Sequence, residues 1–155
     1  MKLQFQIPTH ERRVYVNDTW ISNGHWMIRK AAAMHIPSLK TALKRWSSLI
    51  PGAYEGGEHL GDGAKLPDFE RIIPSMTDYA RATLSGRVAY DTCALPTIRS
   101  VFLETEDGRR AAIGPRYAGL LQLGQVYIKN STDPVVIQDG AGEVAAIIMP
   151  RREEA

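Results

Sequence analysis

Cysteine occurs once in this chain, at Cys93, so no intrachain disulfide and no multi-cysteine metal cluster can form. A lone thiol suits a reducing compartment, and the expected location is the cytoplasm. Long apolar runs are also missing. The longest, residues 144–150, falls far short of the roughly 20 residues that a membrane-spanning helix needs, so no membrane partner is expected. The amino terminus, Met1-Lys2-Leu3-Gln4-Phe5-Gln6, is polar at every second position and has no apolar leader core. Charge of one sign is scarce too. Nineteen lysines and arginines face 17 acidic residues, a formal net charge of +2. A chain that coats nucleic acid by itself usually carries a stronger basic excess.

Histidine is sparse and scattered. His10, His25, His35 and His59 show no metal-ligand spacing and no H-E-x-x-H motif, so no metal and no cofactor is expected. The glycines at 56, 57, 61 and 63 suggest a phosphate-cradling loop, but no Lys-Ser/Thr follows them and the segment reads as a loop. Cys93 has no histidine beside it in sequence to lower its pKa. Asp62 and Asp68 form a candidate carboxylate pair that reads more simply as surface charge. Trp20, Trp26 and Trp46 are candidates for base stacking, although Trp46 falls on an apolar stripe and reads as core. No reaction emerges, and the chain is read as a binding protein, not an enzyme.

What is present is enough apolar material, 44% of 155 residues, for one ordinary core. Residues 2–7, 14–16, 19–21 and 26–28 have strand composition, punctuated by the turn pairs Asn17-Asp18 and Asn23-Gly24. Ile36, Leu39, Leu43, Trp46 and Ile50 recur at spacings of three and four, which predicts a helix opened by Pro37 and ended by Pro51-Gly52. Residues 52–65 are rich in glycine and acid and read as a flexible loop. Further strands are predicted over 81–90, 98–104 and 110–113. A two-turn helix over 117–123 is closed by Gly124. Strands over 126–128, 135–137 and 144–149 follow, and 151–155 reads as a charged tail. The expected architecture is a single α+β domain, an antiparallel sheet with two helices on one face.

Three segments resemble the bacterial DNA sliding clamp, the β subunit of DNA polymerase III. The first is Ser22-Asn23-Gly24-His25-Trp26-Met27 and the second is Gly63-Ala64-Lys65-Leu66-Pro67-Asp68-Phe69-Glu70-Arg71-Ile72-Ile73-Pro74. The third runs from Val126-Tyr127-Ile128 through Asp133-Pro134-Val135-Val136-Ile137 to Ala146-Ile147-Ile148-Met149-Pro150-Arg151-Arg152. They stand in the family's order. The resemblance implies a DNA-clamp-like domain, phage- or plasmid-encoded, whose three segments line a hydrophobic groove. That groove would take clamp-binding peptide motifs of a DNA polymerase or clamp loader. Carried over residue by residue, its walls are Val16, Gly24, His25 and Met27; Pro67, Arg71 and Ile72; and Ile147, Met149, Pro150 and Arg151.

This sequence departs from the family at Trp26, where arginine is usual, and at Arg151, where methionine is usual. The stretch between Pro74 and Arg99 is also short for a complete family domain. One clamp chain holds three domains, whereas this chain has the length of about one, so a ring would need about six copies. In the homo-oligomeric, ring-forming reading, duplex DNA is a partner and Lys40, Lys44 and Arg45 face its backbone. The alternatives are a monomeric regulator of the host clamp with the same groove, and a small enzyme of unassigned class.

Overall fold

The computed structural model describes residues 13–35, 37, 50–55, 58–61, 63–91 and 97–152. The chain divides into two compact units, residues 6–74 and residues 75–155 with 1–5.

In the first unit, Asn17 makes the opening turn. Its side-chain oxygen accepts the backbone N–H groups of Thr19 (2.8 Å) and Trp20 (2.6 Å), and so folds β1 (Val14–Val16) back on β2 (Trp20–Ser22). Asn23 repeats the device for His25 and Trp26, and Gly24 supplies the positive φ of 93° that the tight turn requires. The strand that follows, β3 (Trp26–Arg29), pairs with β2 and runs into a single helical turn, α1 (Lys30–Ala33). On the other side of β1 lies β4 (Gly52–Glu55), which hairpins to β5 (Glu58–His59). The strand order is β5-β4-β1-β2-β3, antiparallel at each of these pairs. Residues 52–65, expected as loop, thus carry two strands. Ala53 and Tyr54 are buried, and the Tyr54 hydroxyl donates to the Ile50 carbonyl at 2.6 Å. A second helical turn, α2 (Phe69–Ile72), buries Phe69.

The second unit is built from two three-strand meanders. β6 (Ala80–Tyr90), β7 (Ile98–Thr105) and β8 (Arg110–Ile113) form the first. β9 (Gln125–Ile128), β10 (Val135–Gln138) and β11 (Val144–Ile148) form the second. The start of β6 pairs with β9, giving the order β11-β10-β9-β6-β7-β8. Past β11 the chain returns to β8, where Arg151 N donates to Ala112 O at 2.7 Å in an antiparallel bridge. That bridge joins the two ends of the six-strand order. Between the meanders a 3-10 helix (Pro115–Leu123) packs against β7, β9, β10 and β11, with Leu120 fully buried. Leu103, Ile113, Ile128, Ile137 and Ile147 are buried as well, each worth about 1.5–3 kcal/mol.

The α+β, clamp-like expectation with two helices on one face is therefore corrected. Antiparallel strands dominate, eleven of them among the described residues, against helical segments of four, four and nine residues. The predicted 117–123 helix exists as 3-10. Pro115 fixes its first turn, while Gly114 and Gly124 bound a segment too short for cooperative α-helix. The predicted helix over 36–50, with Lys40, Lys44 and Arg45, and the predicted strand over 2–7 lie outside the described residues.

Candidate functional site

The eleven groove candidates fall into two sets, one in each unit. In the first unit the side chains of Val16 and Met27 are spent in the core, at 0% and 1% exposure. Gly24 and His25 are exposed at the β2–β3 turn. Pro67 and Ile72 are half-buried, and Arg71 is exposed with Asp68 at 4.0 Å. The structure fixes α2 through a different contact, in which buried Trp20 donates its indole N–H to Glu70 Oε1 at 3.0 Å. The Arg29 guanidinium covers the same ring, 4.4 Å from its centroid. Trp20 pairs with Arg29 at the end of the β2–β3 hairpin away from Gly24 and His25. The helix is therefore anchored at the opposite end of that hairpin from the turn. Trp20 and Trp26, considered above for stacking, are core residues.

In the second unit the candidates are consecutive. Residues 145–148 of β11 are buried at 1% exposure or less, Ile147 among them. Met149 then stands 36% exposed, Pro150 is half-buried and Arg151 is exposed. Arg151 is held twice, by its backbone bridge to Ala112 and by its guanidinium on the Arg99 carbonyl. The apolar pair Met149-Pro150 is thus presented between a buried strand and a pinned arginine.

Two features lay beyond the sequence reading. One is a concavity of about 880 Å³ whose lining includes Arg81, Thr83, Ser85, Glu104, Glu106 and Asp107. Its polar lining was foreshadowed by the alternation Arg81-x-Thr83-x-Ser85. Two of its carboxylates already have partners. Glu104 has Arg110 at 4.0 Å, and Asp107 accepts from Arg109 Nε at 3.0 and 3.1 Å. The Arg109 guanidinium, helped by the Thr105 hydroxyl, pulls the Asp107 carboxyl down to about 2. The same guanidinium donates to the carbonyls of Asp78 (2.6 Å) and Lys129 (3.1 Å), tying the β7–β8 turn to two other loops.

The other is the outer end of the β6–β7 hairpin. Opposite Tyr90 and Ala89 the register slips, so that Arg99 is an extra residue between Ile98 and Ser100. Arg99 Nη1 contacts the Tyr90 carbonyl at 3.5 Å, and Tyr90 and Ile98, directly paired, are both exposed. Among the described residues, no group of three or more His, Cys, Asp or Glu could hold a metal ion, and no helix is long and apolar enough to cross a membrane.

No protein-family model, no curated protein and no solved structure matches this chain.

Proposed function

We propose that this chain is a non-catalytic binding protein that captures short linear peptides with apolar and aromatic anchors, of the kind carried by replication proteins. The observation that carries the reading is Met149, displayed at the end of a strand whose preceding four residues are buried. Methionine is the most adaptable apolar side chain, proline adds a rigid neighbour without an N–H, and Arg151 supplies charge for an acidic flank. The link to replication rests on the resemblance of residues 146–152 to the closing strand of the clamp, and it does not require a clamp fold or a ring. The single thiol, Cys93, supports a cytoplasmic setting.

Fluorescence anisotropy of a labelled Gln-Leu-x-Leu-Phe peptide tests it. Saturable binding that weakens at least about tenfold in Met149→Asp, a loss of about 1.4 kcal/mol, is the expected result. No binding at about 100 µM protein, where a motif of even modest affinity would register, removes the reading. Sedimentation of the same samples separates a multimer from a monomeric competitor of the host clamp.

A further inference from the structure

The β6–β7 hairpin outgrows its neighbours. β9 covers β6 only at residues 80–82, and β8 covers β7 only at residues 101–104. The paired residues 88–90 and 98–100 thus extend past those neighbours, with Ser100 at the base fully buried and the exposed end formed by Tyr90 and Ile98. That end carries Tyr90 at 54% exposure and Ile98 at 37%, while the bulge displaces Arg99 out of the alternating register. Arg99 contacts the Tyr90 carbonyl, and Arg151 bonds the Arg99 carbonyl, so the second arginine is fixed beside the first. Arg152 follows, exposed. Among the described residues, no carboxylate lies within ion-pair distance of Arg151 or Arg152. An exposed aromatic ring near the pinned Arg151, with exposed Arg152 next in sequence, is complementary to a polyanion that carries flat rings.

We propose that this hairpin end binds single-stranded nucleic acid, with Tyr90 stacking on a base and Arg151 and Arg152 contacting the phosphates. Stacking on one aromatic ring is tolerant of sequence, and arginine donors match phosphate geometry. A single strand suits this site better than a duplex, because an exposed ring has no base face to meet in an intact stack. The small net charge of the whole chain does not oppose it, since a local cluster governs the contact. The proposal is independent of the peptide reading and shares only Arg151 with it.

The test is anisotropy with a labelled 12-nucleotide oligo-dT, set against a duplex of equal length and against polyglutamate. Binding of the oligo-dT should weaken about tenfold in Tyr90→Ala and be retained in Tyr90→Phe. The Arg151→Gln, Arg152→Gln double variant should reduce the slope of log affinity against log salt by roughly 1 to 1.5, since each phosphate contact on a single strand contributes about 0.7. Circular dichroism melts confirm that each variant is folded. Absence of saturable binding overturns the proposal, as does indifference to Tyr90→Ala. Equal affinity for the duplex overturns it in favour of charge alone, and tighter binding of polyglutamate overturns it in favour of an acidic protein partner.

Discussion

Arg109 ties the β7–β8 turn to two other segments of the second unit. Its Nε bonds Asp107 across the β7–β8 turn, and its Nη1 reaches both the Asp78 and the Lys129 carbonyls. Asp78 itself holds a positive φ of 66°, a conformation that aspartate tolerates better than most residues, and its carbonyl is fixed by the arginine. The consequence for pH follows from the Asp107 carboxyl. Its pKa falls from the ordinary 3.8 to about 2 on folding, so its contribution is fully present above about pH 4 and fades as pH drops through about 2. Asp107→Asn should therefore melt below the parent at pH 6, and the two melting curves should converge as pH approaches 2. Calorimetry across that range checks it. A constant offset down to pH 2 would place the effect elsewhere than in the ionised carboxylate.

At the scale of elements, the turns were the legible part of the sequence. Asn17, Asn23-Gly24, residues 106–108 and residues 139–142 each bound a hairpin, because their side chains or their freedom at positive φ solve a local problem without help. The β4–β5 pair was not legible. Glycine and acid disguised Ala53 and Tyr54, which are strand residues only because β1 lies alongside them. Gly124 was read as closing a helix, and what requires glycine there is the close approach of the Gln138 and Asp139 backbone. Its φ of 168° is ordinary extended backbone, but a Cβ there would land on the Gln138 carbonyl, 2.7 Å from the carbonyl carbon and 3.2 Å from Asp139 Cα. Gly124→Ala should cost about 3 kcal/mol, since backbone on both sides must move, and urea denaturation would show it. The candidate site was half legible for a similar reason. The resemblance marked residues 147–151 together, yet only packing decides that Ile147 faces inward while Met149 is exposed. The end of the β6–β7 hairpin was invisible, because a bulge at Arg99 leaves no trace in an alternating pattern.

At the scale of the whole molecule, antiparallel pairing takes the place of the expected layer of helices, and the second unit depends on contacts between distant parts of the chain. The Arg151–Ala112 bridge is the longest-reaching of its named strand contacts outside the β6–β9 pair, and it rests on one N–H. Arg151→Pro deletes that donor while keeping the chain direction. It should lower the unfolding free energy by about 2 kcal/mol, because the guanidinium bond to the Arg99 carbonyl is lost with the N–H, and accelerate amide exchange in β8. Unchanged exchange in β8 would show that the bridge is incidental.

That bridge also sets an order of events in synthesis. β6, β7 and β8 can form their meander as soon as they leave the ribosome, but the outer edge of β8 stays open until residue 151 has emerged, nearly forty residues later. At roughly 5–20 residues per second, that is an interval of a few seconds. During it the nascent chain presents an unpaired strand edge to any neighbour, so chaperone contact in the cell is expected to concentrate on the segment 110–113.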